Sequence, residues 1–253
     1  GMVGGRGGCR TRDDVLTIAR HIAMMSDVEL AGVEAYEGLV VTPDADSDAH
    51  LVTAYLDMVA DCFTALQHEA LFAEGRAILT AGGSAYFDLV ARSFVAQGSK
   101  HILPVLRSGC YITHDNGFYA RLLQSLAARA AAGQAPSLQP ALEVWATVLS
   151  RPEPDRAILS AGKRDLSFDI DLPVPRAHFR VGAMTAPASV DDWAIFQVSD
   201  QHAYMRVDPA DDVQVGDLIC LGISHPCTTF DKWSLLLEVD DDYRVVAGLK
   251  TCF

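Results

Sequence analysis

The hydrophobic pattern of this chain changes near residue 135, and the change limits the folds that the chain can adopt. Before that point, apolar residues recur in units of strand, loop and helix, which is typical of a parallel α/β barrel or sheet. After it, short apolar runs alternate with clusters of proline, glycine and aspartate, which is typical of an antiparallel β domain. We therefore predict two domains, residues 1–135 and residues 136–253, with the boundary inside the Ala/Gly/Gln/Pro-rich stretch 127–140.

The first domain is predicted to alternate helices with strands. Thr11 followed by acidic residues is a good helix start, because its hydroxyl oxygen can accept from the amides of the first turn. The polar stretch 42–50 is predicted to be a loop. The expected helices cover residues 11–25, 50–73 and 85–93, and the expected strands cover residues 28–36, 77–80 and 101–106. An eightfold barrel needs about 200 residues or more, so this domain supplies about half of one.

The second domain is predicted to consist of short strands. The three aspartates at 240–242 are predicted to form a solvated hairpin turn rather than a metal site. The expected strands cover residues 144–149, 157–159, 177–181, 194–198, 203–207, 218–223, 234–239 and 244–248.

Composition excludes several classes of function. A formal charge of −13 argues against binding to nucleic acid or to anionic membranes, because both require clustered lysine and arginine. No apolar stretch is long enough to span a bilayer. Six scattered cysteines are too few for a disulfide scaffold in a chain of 253 residues, so we expect reduced thiols and a cytoplasmic protein.

A histidine and a cysteine lie two positions apart in the run His225-Pro226-Cys227, which is predicted to be a turn between strands. In an extended segment, residues i and i+2 point to the same side, so one Zn²⁺ could bind both side chains. No second pair at metal spacing is present in the sequence, whereas a structural zinc site has four protein ligands. The pair therefore favours an open, catalytic kind of metal site. The alternative is an incidental pair, with the thiol buried as a small hydrophobic group.

Two glycine-rich loops could bind an anion. Gly82 and Gly83 follow a predicted strand and precede Ser84 and a predicted helix, so the loop amides and the serine hydroxyl could hold a phosphate. The alternative is a plain tight turn with Ser84 as the helix cap. Arg6 lies among four glycines, and its guanidinium could donate to a carboxylate, a phosphate or an aromatic nitrogen. The alternative for Arg6 is an exposed loop arginine.

Several polar side chains follow predicted strands, where a barrel places its site residues. Tyr36 ends one strand, and the alternative for it is a half-buried structural tyrosine. Arg107, Tyr111, His114 and Asp115 follow another strand. The alternative for these four is that they cap helices or form surface ion pairs, which contribute little to stability.

Taken in order, five segments resemble the alanine-racemase-type enzymes that depend on pyridoxal phosphate (PLP). The closest branch is that of D-serine dehydratase, D-threonine aldolase and related amino acid deaminases. The segments are VGGRGGCR (3–10), LAGVEAYEG (30–38), AGGS (81–84), LRSGCY (106–111) and HPC (225–227). The resemblance covers nearly the whole chain, and it implies the later part of the family's PLP-binding (β/α)8 barrel followed by its C-terminal β domain.

The resemblance also implies roles for individual residues. Arg6 matches the arginine that faces the pyridine nitrogen of PLP, and Tyr36 matches an aromatic residue near cofactor and substrate. Gly82, Gly83 and Ser84 match the loop that holds the phosphate. Tyr36 and Tyr111 are the candidate catalytic residues. His225 and Cys227 match the metal-binding pair.

The implied reaction is the dehydration of D-serine or a similar D-amino acid, which gives a 2-oxo acid and ammonia. The aldolase relatives carry a carboxylate where Cys227 stands, and a thiolate favours Zn²⁺ over a harder ion. We therefore expect a PLP- and zinc-dependent deaminase. The alternatives are a D-threonine aldolase-type lyase, a non-catalytic PLP-binding protein of the same fold, and a separate β-rich binding module.

This chain departs from the family pattern in one respect: it has no counterpart of the lysine that binds PLP covalently. That lysine belongs to the first barrel strand, which has no counterpart here. The chain contains only Lys100, Lys163, Lys232 and Lys250, none in a matching context. We therefore expect this chain to be the C-terminal piece of a longer enzyme, to require the preceding half of the barrel and to be inactive alone. The family also implies a homodimer.

Overall fold

The computed structural model describes residues 1–2, 4–42, 44–97, 101–130, 137–183 and 187–252. The chain divides into two compact units. The first comprises Gly1–Gly109 and Ser125–Ala131, and the second comprises Cys110–Gln124 and Ala132–Phe253. The boundary predicted between residues 135 and 136 lies outside the described residues and stays a prediction, and Val3, Lys100 and Phe253 also lie outside them. Within the described part of the chain, no helix is both long and apolar enough to cross a membrane.

The first unit is built on a three-stranded parallel sheet, with the strand order β1-β2-β3. This arrangement confirms the alternation of strands and helices predicted from the sequence. Its elements are α1 (Arg12–Ile22), β1 (Gly32–Glu34), α2 (Ala45–His68), β2 (Ala77–Ala81), α3 (Phe87–Ala96) and β3 (Ile102–Leu106). A further helix, α4 (Phe118–Arg129), follows β3 and has no counterpart in the predicted elements.

A capping box fixes the start of α1, and a small apolar core packs α1 on α2. The Thr11 side chain accepts from the amide of Asp14, and the Asp14 carboxylate accepts from the amide of Thr11, which is a complete capping box. The buried residues that join the two helices are Leu16, Ala19, Ala65 and Leu66. The helix start predicted at Thr11 is therefore confirmed.

Several predicted boundaries in this unit are wrong, and the helices also end at other residues than predicted, Ile22, His68 and Ala96. Helix α2 begins at Ala45, inside the predicted loop, because the Asp44 carboxylate caps the Ser47 amide at 3.0 Å. Strand β1 covers only Gly32–Glu34 of the predicted stretch 28–36. Helix α3 begins at Phe87, after the cap residue Tyr86, whose side chain makes no capping hydrogen bond, so Ser84 is not the cap.

The second unit contains a seven-stranded antiparallel sheet and a separate two-stranded hairpin, which confirms the predicted antiparallel β domain. The strand order in the large sheet is β7-β6-β10-β4-β5-β9-β8. The strands are β4 (Glu143–Glu153), β5 (Arg156–Leu159), β6 (Val174–Phe179), β7 (Ala188–Ser189), β8 (Ala194–Val198), β9 (Ala203–Arg206) and β10 (Leu218–Gly222). The hairpin pairs β11 (Leu235–Val239) with β12 (Val245–Lys250), and helix α5 (Cys227–Phe230) lies between the two sheets in sequence.

Alternating burial along the strands places one face of the large sheet against a shared core. Leu159, Met205, Ile219 and Leu221 are fully buried there. In the hairpin, the Asp240 carboxylate accepts the amides of Asp242 and Arg244, each at 2.9 Å. The aspartate run is therefore a hairpin turn, as predicted.

Candidate functional site

Three of the residues predicted to bind PLP lie together in the first unit. The guanidinium carbon of Arg6 lies 4.8 Å from the ring centroid of Tyr36. The same ring packs on the glycine loop, because a Cβ at Gly83 would lie 3.2 Å from Cε2 of Tyr36. Arg6 is exposed and Tyr36 is half-buried, so the group is accessible from solvent.

A buried carboxylate binds the amides of the glycine loop. Glu37 is fully buried and accepts from the amide of Gly82 at 3.2 Å and from that of Gly83 at 2.6 Å. Burial raises the pKa of Glu37, and the hydrogen bonds from its own amide and the two glycine amides partly offset that effect. The amides of Gly82 and Gly83 therefore already donate to a carboxyl group of the chain itself, that of Glu37.

The two glycines are required by close packing as well as by hydrogen bonding. Gly82 has a φ of +123°, and a Cβ there would lie 2.9 Å from the Ser108 hydroxyl. That hydroxyl donates to the carbonyl groups of Gly82 at 3.0 Å and Gly83 at 3.2 Å. Glu37 engages the amides of Gly82 and Gly83, and the next residue, Ser84, is half-buried, so its hydroxyl could donate to a phosphate.

In the second unit, a thiol from a distant part of the sequence joins the predicted His–Cys pair. Donor atoms of Cys110, His225 and Cys227 all lie within 4.8 Å of one another. The two sulfur atoms are 3.1 Å apart. Pro226 has helical backbone angles, φ −62° and ψ −33°. The extended geometry used to argue for the pair is therefore wrong, whereas the predicted turn is confirmed, because Pro226 lies in a turn between strands β10 and β11.

A carboxylate fixes the ring of His225. The Nδ1 atom of His225 lies 2.6 Å from Oδ2 of Asp169, and the Thr228 hydroxyl donates to Oδ1 of Asp169 at 2.9 Å. Burial acts to raise the pKa of Asp169, but the hydrogen bonds from His225 and Thr228 lower it below its usual range. Because Nδ1 is engaged, Nε2 is the nitrogen that His225 offers to a metal.

The donor set fits a soft divalent ion. Two thiols and an imidazole are ligands that Zn²⁺ prefers. The hydrogen bond with Cys110, together with burial, raises the pKa of the Cys227 thiol. A metal that binds here therefore displaces a proton from sulfur, because the thiolate is the ligand form.

The polar side chains that follow β3 have separate roles. Arg107 forms an ion pair with Glu34 at 2.9 Å and donates to the carbonyl of Ala35. Asp115 accepts the amides of Gly117, Tyr119 and Ala120 at 2.9–3.1 Å, so it caps the start of α4, which was the structural alternative for this group. Tyr111 is half-buried in the short 3-10 helix Cys110–Ile112, directly after Cys110.

The predicted site residues thus fall into two groups. The first unit contains Arg6, Tyr36, Gly82, Gly83 and Ser84, and the second contains Tyr111, His225 and Cys227. Two of the chain's lysines, Lys163 and Lys232, lie over the ring of Phe168 in the second unit, at 5.4 Å and 5.9 Å from its centroid.

Sequence reasoning missed three residues that contact the predicted ones. Glu37 was part of a segment that carried the family resemblance, as was Cys110, so both were visible without an assigned role. Asp169 gave no signal, because it lies 56 positions from His225. Cys110 lies 117 positions from Cys227, so no local spacing could connect the two sulfurs.

Comparison with known proteins shows which proteins this chain is similar to. Residues 141–239 match the family described as a putative serine dehydratase domain. A D-threonine aldolase of an Arthrobacter species is 28% identical over 240 residues, which are 94% of this chain and 55% of that protein. The chain therefore spans about half the length of this curated relative.

Solved structures show the same fold. The crystal structure of D-threonine aldolase from Filomicrobium marinum matches with a TM-score of 0.72 and 22% identity, over 93% of this chain and 56% of that one. An alanine racemase-like protein from Idiomarina loihiensis matches with a TM-score of 0.63 and 15% identity, over 94% of this chain and 60% of that one. The chain therefore has the predicted alanine-racemase-type fold, and its similarity to the putative serine dehydratase domain and to D-threonine aldolase agrees with the predicted resemblance.

Proposed function

We propose that the protein containing this chain is a lyase that removes water and then ammonia from D-serine or a similar D-β-hydroxy amino acid. The observation that carries the proposal is the donor cluster of His225 and Cys227, which lies inside the region that matches the putative serine dehydratase domain. In the net reaction, D-serine gives one 2-oxo acid and one ammonia. The water lost with the β-hydroxyl is regained when the product is hydrolysed.

The first unit is proposed to bind PLP. When bound, this cofactor withdraws electrons from the substrate's α-carbon. Arg6 would direct its guanidinium to the pyridine nitrogen, and Tyr36 would hold Arg6 in place through their stacked contact at 4.8 Å. Gly82 and Gly83 would allow close packing of the loop beside the phosphate, and Ser84 would donate its hydroxyl to it.

The second unit is proposed to bind Zn²⁺ through His225 and Cys227. When bound, zinc acts as a Lewis acid on the β-hydroxyl of the substrate. Asp169 keeps Nε2 of His225 available by accepting from Nδ1 at 2.6 Å. Tyr36 and Tyr111 are proposed to hold or transfer protons at their phenol oxygens during the reaction.

A second candidate function is aldol cleavage of D-threonine to glycine and acetaldehyde. The relative and the solved structure named above are D-threonine aldolases, which favours this reading. Cys227 favours dehydration, because the resemblance places a carboxylate at this position in the aldolases. The homodimer, the requirement for a preceding half of the barrel and the inactivity of this chain alone stay predictions.

Product analysis separates the two reactions. The full-length protein, supplied with PLP and zinc, is incubated with D-serine and with D-threonine, and 2-oxo acid and glycine are measured. The proposal expects 2-oxo acid and ammonia from D-serine in equal amounts, with no product from L-serine. Glycine from D-threonine without 2-oxo acid from D-serine would establish the aldolase instead. Stable PLP binding without any product from either substrate would contradict both and favour a non-catalytic protein.

A further inference from the structure

We propose that Cys110 is a third protein ligand of the metal, so that the centre consists of Cys110, His225 and Cys227 with one position open. This inference rests on the proposed function for the presence of the metal. It changes the expected coordination from two protein ligands to three, and it therefore changes how many positions a substrate or water can occupy.

The three donors are separated by distances that suit a single zinc ion. Ligand atoms of a tetrahedral zinc lie about 3.3–3.8 Å apart, as bonds of about 2.0 Å to nitrogen and 2.3 Å to sulfur require. The sulfur atoms of Cys110 and Cys227 are 3.1 Å apart, and all three donors lie within 4.8 Å of one another. Small side-chain movements are enough to bring the three donors to bonding distance of one ion.

Hydrogen bonds from backbone amides hold the segment that follows Cys110 against the segment that precedes His225. The amide of Asn116 donates to the carbonyl of Ile223 at 2.8 Å, and the amide of Phe118 donates to the Ser224 hydroxyl at 3.3 Å. The Ser224 hydroxyl in turn donates to Asp171 at 2.7 Å. The position of Cys110 beside the His–Cys pair is therefore fixed by the fold.

Two glycines make this close approach possible. A Cβ at Gly117 would lie 2.5 Å from the Ser224 hydroxyl oxygen, and a Cβ at Gly222 would overlap the side chain of Asn116. Any other residue at either position would separate the two segments. The glycines thus contribute to the proposed site without contacting the metal.

The burial of the three side chains fits a reactive site rather than a structural one. Cys110 is buried, His225 is half-buried and Cys227 is exposed, so the cluster is accessible from one side. Cys220 gives a contrast within the same unit, because it is fully buried in β10, as expected for a thiol that acts as a core residue.

Three protein ligands and one open position are the usual arrangement of catalytic zinc, and two cysteines with one histidine are a known set. The second thiolate makes the site softer, which favours Zn²⁺ over Mn²⁺ or Mg²⁺. The open position could take a water molecule or the substrate hydroxyl as a further ligand.

Zinc K-edge X-ray absorption of the zinc-loaded full-length protein tests this coordination directly. We expect two sulfur neighbours at about 2.3 Å from zinc, and one sulfur in the Cys110→Ser variant. Removal of a residue that only forms a hydrogen bond with a metal ligand already weakens metal binding by about 10–100-fold. We therefore expect Cys110→Ser to weaken zinc binding at least about tenfold in competition with a chelator. Cys252→Ser, at an exposed cysteine outside the cluster, should change neither result.

The outcomes distinguish this inference from the proposed function. One sulfur neighbour in the unsubstituted protein would overturn the role of Cys110 and leave the His225–Cys227 pair as the metal site. Absence of bound zinc in the unsubstituted protein would overturn both this inference and the zinc part of the proposed function. The measurement on the unsubstituted protein does not depend on whether the Cys110→Ser variant folds.

Discussion

At the scale of single residues, the ring of His225 shows how a neighbouring side chain prepares a ligand. Asp169 accepts from Nδ1 at 2.6 Å, and Thr228 holds the other carboxylate oxygen at 2.9 Å. The carboxylate therefore has both oxygens engaged, and it fixes the ring orientation that a metal would meet. Such a partner of a ligating histidine fixes the ring orientation and makes the free ring nitrogen a better ligand.

Replacement of Asp169 by asparagine is expected to weaken zinc binding by about 10–100-fold. The amide keeps only one acceptor oxygen, so it cannot satisfy both His225 and Thr228. Zinc affinity is measured by competition with a chelator. Asp200→Asn is the control, since Asp200 is an exposed acid paired with Arg164 at 3.6 Å. Equal affinity in the Asp169→Asn variant and the unsubstituted protein would show that Asp169 does not orient the ligand.

Replacement of Gly82 by alanine is expected to weaken PLP binding in the full-length protein. The new methyl group would meet the Ser108 hydroxyl at 2.9 Å, and the φ of +123° is unfavourable for alanine. The loop would shift and lose its hydrogen bonds to Glu37. PLP affinity is measured by titration of the cofactor absorbance.

Gly75→Ala is the matched control for that experiment. Gly75 has a φ of +106°, but a Cβ there meets nothing within 4 Å. The Gly75→Ala variant therefore has an unfavourable φ, as the Gly82→Ala variant does, but its new methyl group makes no steric clash. If both variants bind PLP as tightly as the unsubstituted protein, the loop of Gly82 is not part of the cofactor site.

At the scale of elements, the second unit depends on the apolar face of its large sheet. Leu159 in β5 has no exposed surface and packs in a core with Met205 of β9 and Ile219 of β10. Leu159→Ala is expected to lower the free energy of unfolding of this unit by about 2–5 kcal/mol. All three tryptophans of the chain, Trp145, Trp193 and Trp233, belong to this unit, so their fluorescence in a denaturant titration follows it selectively.

Leu149→Ala in β4 is the control for the core substitution, because Leu149 is 46% exposed. It should change the free energy of unfolding by less than about 0.5 kcal/mol, as surface substitutions usually do. A similar loss of stability in both variants would mean that the sheet face described as core is not the one that stabilises the unit.

The sequence predicted those elements whose signal is local. The capping box at Thr11, the alternating strands and the turn at Asp240 were all identified from neighbouring residues. The start of α2 was misassigned because its first turn is acidic, with Asp46 and Asp48, and carries no apolar stripe. Helix α4 was missed, although Asp115 was recognised as a possible cap.

The candidate metal site likewise combines residues that local spacing predicted with residues that it could not predict. His225 and Cys227 are neighbours in sequence, so their spacing predicted a pair. Cys110 and Asp169 come from other parts of the chain, 117 positions from Cys227 and 56 positions from His225. Only the fold of the second unit brings them together, and no pattern of local spacing can report that. The same limit applies to Glu37, whose carboxylate reaches amides that lie 45 and 46 positions away.

At the scale of the whole molecule, one buried carboxylate, that of Asp217, contributes to the resistance to acid. The side chain of Asp217 is 4% exposed and lies 2.8 Å from Nε2 of His178 and 3.1 Å from the guanidinium of Arg180. Burial acts to raise the pKa of Asp217, but the hydrogen bonds from Arg180, the Gln214 amide and His178 lower it to about 2. The ionised form is therefore favoured in the folded protein.

The metal-free protein is expected to lose stability as the pH falls from about 4 to about 2. A lowered pKa contributes stability above the ordinary aspartate pKa of about 3.9. That contribution, up to about 2 kcal/mol, disappears as the pH falls through the folded-state value. Asp217→Asn should thus lower the free energy of unfolding at pH 7 and have a much smaller effect near pH 2, as measured by tryptophan fluorescence in denaturant. An equal effect at both pH values would show that the Asp217 charge is not stabilising.

The most direct test of the account is the metal dependence of D-serine turnover by the full-length protein. We predict that a chelator abolishes the formation of 2-oxo acid, that Zn²⁺ restores it, and that the His225→Ala variant stays inactive in both conditions. Undiminished turnover after complete removal of zinc, or an active His225→Ala variant, would contradict it.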